Sequence, residues 1–115
     1  MSFDEELSAR REHSWVTVQW HGDVDMANAK PLRHQTLEAV TNSDLGLIID
    51  LTDVEYIDSA GIRTLIEIRR LLEERQQRLL MVLPDDALIR KGLHIGGVTA
   101  VIPTYPSHEA ALAAR

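Results

Sequence analysis

The chain has 115 residues, a formal net charge of −6, 44% apolar residues and no cysteine. That length fits one compact domain over 1–115, and the acidic balance argues against non-specific binding to nucleic acid or to an anionic membrane, both of which need clustered Lys and Arg. Without cysteine there is no disulfide, thiolate catalysis or thiolate metal site; no apolar run approaches the ~20 residues of a membrane-spanning helix, and Met1–Arg11 lacks a signal-type apolar segment, so the expected location is the cytoplasm.

With one Phe, two Trp and two Tyr, the core must be built from Leu, Ile, Val and Ala. Phe3, Glu5, Leu7 and Ala9 alternate loosely, which reads as a first edge strand or an arm. Ser14 to Trp20 is a clearer strand, with Val16, Val18 and Trp20 on one face and Trp15, Thr17 and Gln19 on the other. His21-Gly22-Asp23 reads as the turn that ends it. A helix is expected over Met26–Thr41, capped by Asp25 or Asn28, with Pro31 in its first turn. Asn42-Ser43-Asp44 breaks it. The run Leu45–Leu51 has no polar alternation, as in a central strand covered on both faces.

A short polar turn and Tyr56-Ile57 lead to Asp58-Ser59-Ala60-Gly61, the start of a helix expected over Ser59–Gln77. Ile62, Leu65, Ile66, Ile68 and Leu72 form its apolar stripe. Arg69, Arg70, Glu73, Glu74 and Arg75 form a solvated face, with Arg69–Glu73 and Arg70–Glu74 at pairing distance. Leu79–Leu83 reads as a strand, Ala87–Lys91 as a short helix, His94–Gly97 as a loop, Thr99–Ile102 as a last strand and Glu109–Ala114 as a final helix. The order β-β-α-β-α-β-α-β-α is an α/β domain with about four helices and a mostly parallel sheet, its first two strands antiparallel.

The chemistry-bearing residues are few. His13, His21, His34, His94 and His108 are scattered, and none forms an i,i+4 pair around a Glu. Asp23 and Asp25 lack the further oxygen ligands and the glycine of a calcium loop. Gly92, Gly96 and Gly97 fit neither a dinucleotide fingerprint nor a phosphate-binding loop; they read as helix termination and a turn. No metal or cofactor is expected. Ser59 sits where a strand becomes a helix, but the G-x-S-x-G frame is missing, and without a placed histidine a serine is a weak nucleophile. An enzyme is therefore not expected. Two readings of Ser59 stay open on the residues alone: a hydroxyl N-cap, or a phosphorylation site favoured by the helix N-terminus and opposed by Asp58.

At these residues the chain resembles the STAS family, the domain of sulfate transporters and anti-sigma factor antagonists. Gly22-Asp23-Val24-Asp25, with Ala29 and Leu32, is similar to the family's entry into its first helix. Leu47–Leu51 with Asp58-Ser59-Ala60-Gly61-Ile62 is similar to its strand and D-S-[ST]-G-[LIV] motif, and Leu93–Ile102 to its later turn and last strand. The resemblance implies a single small α/β domain with helices packed on a four- or five-stranded sheet. It implies a binding function in the antagonist branch: docking on an anti-sigma factor that is an ATP-dependent serine kinase, phosphorylation of Ser59 by that kinase to block docking, and a serine phosphatase that reverses it. The implied partner surface comprises Asp23, Asp25, Asp58, Ser59, Ala60, Gly61 and Arg63, with neither nucleic acid nor membrane as partner. Ala60 stands where the family commonly has a second Ser or Thr, and Arg63 where many antagonists have Gly. An arginine one turn into the helix can pair with a phosphate or with an acidic patch on the partner, or simply face solvent. The alternative within the same fold is an unphosphorylated adaptor subunit of a larger assembly, a stress-sensing complex or a lipid transporter.

Overall fold

The computed structural model describes residues 7–115; the part of the first expected strand at Phe3 and Glu5 lies outside them. In chain order the elements are β1 (Leu7–Glu12), β2 (Trp15–Val24), α1 (Ala29–Glu38), β3 (Gly46–Ile57), α2 (Ser59–Glu74), β4 (Arg78–Val82), α3 (Arg90–Ile95), α4 (Val98–Val101), β5 (Thr104–Tyr105) and α5 (His108–Ala113). The sheet order is β1-β2-β3-β4-β5. As expected, β1 and β2 are antiparallel, and the pairs from β2 to β5 are parallel. His13 and Ser14 join β1 to β2 with φ of 52° and 65°, the backbone of a tight hairpin made without the usual Asn or Gly.

Strand alternation sorts the core. Val16 and Val18 of β2 lie in register with Leu47 and Ile49 of β3, and these with Leu79 and Met81 of β4. All six join the larger apolar cluster, where Leu32 of α1, Leu65, Ile68 and Leu72 of α2, and Leu93 of α3 pack on them. The alternate residues Trp15, Ile48, Leu80 and Val82 point to the other face, where Ala111 and Leu112 of α5 cover them. Trp20 is buried with its indole N–H satisfied by Thr36 Oγ1 at 3.1 Å.

Several boundaries differ from expectation. The turn expected at His21–Asp23 is a bulged continuation of β2: the register slips between Gln19 and His21 and again between Gly22 and Asp23, and Gly22 takes φ of 68°. A bulge uses glycine for the same backbone reason that a turn does. The polar stretch after Leu51 likewise stays in strand, pairing His21 with Asp53 and Asp23 with Tyr56. Helix α1 is shorter than expected because Met26–Asn28 form a separate turn, with Ala29 N–H donating to Asp25 O at 2.8 Å. Helix α2 stops at Glu74; Gln76 adopts φ of 59°, and the Gln77 side chain turns inward to donate to Thr41 O and Asp44 O, both at 2.8 Å.

Two further corrections concern the C-terminal third. His94 and Ile95 belong to α3, which runs later than expected because Leu93 is its core anchor. Thr99–Ile102, expected as a strand, carries helix α4 instead. Its β-branched residues suggest a strand, but Val98 and Ile102 are buried four residues apart while Ala100 and Val101 are exposed, which is a helical period. The sheet edge passes to β5, where Met81 N–H bonds Pro103 O and Leu83 N–H bonds Tyr105 O. Of the expected charge pairs on α2, Arg69–Glu73 forms at 2.7 Å; Arg70 and Glu74 do not pair.

Asp44 is a buried polar node. Its carboxylate accepts two bonds from the Arg11 guanidinium, both at 2.9 Å, and two from the Thr41 N–H and hydroxyl, at 2.7 and 3.0 Å. The bond from Arg11 is the main reason its pKa is lowered from 3.8 to about 2, against the opposing effect of burial. A lowered folded value means that Asp44 adds stability that is complete above about pH 4 and is lost as the pH falls toward 2. Urea midpoints between pH 2 and 5 are expected to rise less steeply in Asp44→Asn than in the natural chain; parallel curves would exclude this role.

Candidate functional site

The neighbouring strands β2 and β3 end together. Val24 pairs with Ile57, and the Asp58 N–H bonds Val24 O at 3.1 Å. The chain leaves β2 into α1 and leaves β3 directly into α2, so both helix entries open at the same edge of the sheet.

Asp58, not Ser59, is the N-cap of α2. Its Oδ1 accepts the N–H groups of Ala60 and Gly61 at 2.9 and 3.0 Å. Its Oδ2 accepts the Met26 N–H at 3.1 Å. One carboxylate thus satisfies two of the donors left open at a helix start and ties down the β2–α1 turn. That turn is internally braced: Asn28 Oδ1 accepts from Asp25 N–H, Asn28 Nδ2 donates to Asp23 O, and Asp25 Oδ1 accepts from Ala27 N–H, at 2.8 to 3.0 Å. The structure therefore assigns Asp58, Asp25 and Asn28 to positioning the loop. The cap reading of Ser59 fails for a physical reason: the first residue inside the helix points its side chain away from the donors that a residue one position earlier reaches.

Ser59 is exposed at that first position, and its hydroxyl makes no hydrogen bond among the described residues. Ala60 is half-buried and Gly61 is buried. A Cβ on Gly61 would lie 2.5 Å from Ile57 Cγ1 and 2.9 Å from Val24 Cγ1, so the helix meets the two strand ends at a distance only glycine permits. Arg63 is exposed.

Two hollows flank this serine. A groove of about 340 Å³ between α1 and α2 is lined by Met26, Ala29, Lys30, Ala60 and Arg63 among others. A second hollow of about 590 Å³ runs along α2 past Ser59, Ile62, Arg63, Ile66, Glu67 and Arg70. Arg63 and Glu67 line both. Arg33 crosses from α1 to pair with Glu67 of α2. Apolar side chains are exposed on the elements that meet here: Met26 at 83%, Tyr56 at 53% and Ile66 at 37%. Ile66 was expected in the buried stripe of α2, but the buried face is centred on Gly61, Thr64, Leu65, Ile68 and Leu72; Ile66 falls beyond its edge. Met26 and Tyr56 were not singled out in the sequence. Their one available sign was an apolar residue set among polar neighbours with no periodic partner on a buried face.

The histidines are placed elsewhere. His21 faces Asp53, His34 faces Glu38, His94 meets Thr99, and His108 meets Thr17 and Arg10 on the α5 side of the sheet. None hydrogen-bonds Ser59. Among the described residues, no helix is long and apolar enough to cross a membrane.

The domain so described, a mixed five-stranded sheet with a D-S-x-G helix entry, matches the STAS domain model over residues 6–111, and the chain belongs to the STAS family. It is 30% identical over 95 residues to BtrV, a candidate anti-sigma factor antagonist of Bordetella bronchiseptica, covering 81% of this chain and 79% of that one. The crystal structure of an anti-sigma factor antagonist from Mycobacterium paratuberculosis superposes with a TM-score of 0.82 at 27% identity, covering 94% of this chain and 91% of that one. The phosphorylated form of the Bacillus cell fate determinant SpoIIAA shares the fold, with a TM-score of 0.66 at 18% identity over 95% of this chain and 99% of that one.

Two substitutions test the site's architecture. Gly61→Ala forces overpacking against Ile57 and Val24 and is expected to cost about 1–3 kcal/mol in urea unfolding; an unchanged midpoint would show that the helix can shift outward at no cost. Asp58→Ala removes the cap and is expected to cost about 1–2 kcal/mol. It should also speed hydrogen exchange at the Met26 amide, a readout that loss of the cap alone would not move.

Proposed function

We propose that this chain is an anti-sigma factor antagonist that works by partner docking in the cytoplasm. In its unmodified form it docks on an anti-sigma factor with ATP-dependent serine kinase activity. The docking surface comprises Asp23, Asp25, Asp58, Ser59, Ala60, Gly61 and Arg63 with the outer face of α2. The kinase phosphorylates Ser59, the complex separates, and a serine phosphatase restores the docking form. ATP and its metal belong to the kinase.

The observation that carries this reading is the exposed, unbonded hydroxyl of Ser59, set beside a cap that another residue supplies. A kinase can reach it, and no helix-capping bond is broken when it is modified. A phosphate there adds about −1.5 to −2 charges and three acceptor oxygens to the surface. Around it lie the features of a docking face: exposed Met26, Tyr56 and Ile66, and polar groups on both sides. The similarity to BtrV and to the mycobacterial antagonist supports the antagonist branch. Within this reading Asp58 and Gly61 act mainly by shaping the surface, while Ser59, Arg63 and Asp23 are exposed to meet the partner.

Incubation with the anti-sigma kinase of the same organism and ATP is expected to place one phosphoryl group on the peptide containing Ser59, seen by mass spectrometry. Ser59→Asp is expected to weaken docking about tenfold or more, since juxtaposed like charges at an interface cost several kcal/mol. An active kinase that leaves Ser59 unmodified, together with full affinity of Ser59→Asp, would replace the switch by a permanent adaptor role.

A further inference from the structure

Three of the acidic groups around Ser59 already have partners, while the cations Lys30, Arg63 and Arg70 that line the two hollows have none among the described residues. The Asp58 carboxylate is taken by three backbone N–H groups. Asp25 is taken by the Ala27 N–H. Glu67, one turn beyond Arg63 and the natural i,i+4 partner for it, is drawn across the groove by Arg33 of α1. Arg63 is left exposed without an ion pair among the described residues. It stands one helical turn from Ser59, and both line the same hollow on the outer face of α2. On a helix, residues four apart have Cβ atoms about 5–6 Å from each other. That spacing suits a phosphoserine and a guanidinium, which can meet through two parallel N–H···O bonds.

We propose that Arg63 is a built-in counter-ion for a phosphate on Ser59. This rests on the reading of Ser59 as the modified residue. In the unmodified chain the guanidinium stands at the ridge between the two hollows, available to a carboxylate of the partner. Once Ser59 carries phosphate, Arg63 folds back along α2 and pairs with it. The partner then loses two contacts through one modification: the hydroxyl becomes a bulky dianion, and the arginine is withdrawn. The Arg33–Glu67 pair keeps Glu67 from competing for Arg63 and so belongs to the same device.

The test needs no kinase. Phosphoserine is installed at position 59 during translation, and the second ionisation of its phosphate is followed by 31P NMR as a function of pH. A paired guanidinium favours the dianion, so the natural chain should ionise at lower pH than Arg63→Gln, by about half a unit. Arg63→Lys should recover part of the shift, and Arg70→Gln, further along the same hollow, should leave the value where it was. Circular dichroism of each variant checks that the fold persists. Equal values in the natural chain and Arg63→Gln would overturn the proposal, as would a shift of the same size in Arg70→Gln, which would mean a diffuse field instead of a pair. The outcome is separable from that of the docking reading. A phosphate held by Arg63 in a chain that no kinase modifies leaves the pair standing and removes the switch; a Ser59 switch with no Arg63 shift does the reverse.

Discussion

The three N–H groups gathered by the Asp58 carboxylate fix the relation between the two halves of the site. Two of them begin α2 and the third belongs to Met26, on a different loop. A cap usually acts on its own helix alone. Here it also joins the ends of two parallel strands, so the β2–α1 turn and the first turn of α2 are positioned as one unit. The backbone bond from Asp58 N–H to Val24 O supports the same joint from below, and the missing side chain of Gly61 lets the helix sit close enough for those bonds to form. The Asp and Gly of the motif therefore hold the two positions between them, which face outward or half-outward.

The sheet makes that joint stiff. Val16, Val18, Leu47, Ile49, Leu79 and Met81 form cross-strand ladders under α1 and α2, while α5 closes part of the opposite face over Trp15, Ile48 and Leu80. At the far end of the same strands, Asp44 gathers Arg11 and Thr41 while Gln77 bonds the carbonyls of Thr41 and Asp44. The two ends are built alike, with one buried or half-buried carboxylate binding several donors. They differ in what surrounds it. The Asp44 end has its charge neutralised by arginine and, among the described residues, presents Leu45 as its exposed large apolar side chain; the Asp58 end leaves Met26, Tyr56, Ile66 and a serine hydroxyl in the open.

The sequence patterns made the core strands legible because a run such as Leu47–Leu51 has to be covered on both faces, and Val16-Thr17-Val18 has a period of two. The entry of α2 at Ser59 was legible too. What could not be read was long-range. Gly22 signals a turn and a bulge alike, and only pairing with the extended β3 decides between them. Thr99–Ile102 is β-branched, yet burial of Val98 and Ile102 four residues apart overrides that local preference. A hydroxyl cap at Ser59 is one of two readings that the residues alone leave open, and the structure gives the cap to Asp58 instead; both residue types cap well, and the difference lies in backbone position: Asp58 is extended, with φ of −99° and ψ of −174°, and Ser59 is already helical. The role of Asp58 toward Met26, 32 residues earlier in the chain, has no sequence signature at all.

That one-residue offset decides what a charge on Ser59 can do. Had the serine been the cap, its oxygen would be spent on backbone donors, and a phosphate would have to break or reshape the start of α2. With Asp58 holding those donors, modification at the next position leaves the helix start, the strand joint and the core bonded as before. The dipole of α2 favours an added negative charge there, while Asp58 beside it opposes it. The added charge then acts on whatever lies outside the domain, at an edge where hydroxyl, guanidinium and exposed apolar side chains occur together. A surface can change its electrostatic character in this way without passing through a less stable fold, and this separation of cap from hydroxyl is what the geometry at residues 58 and 59 provides.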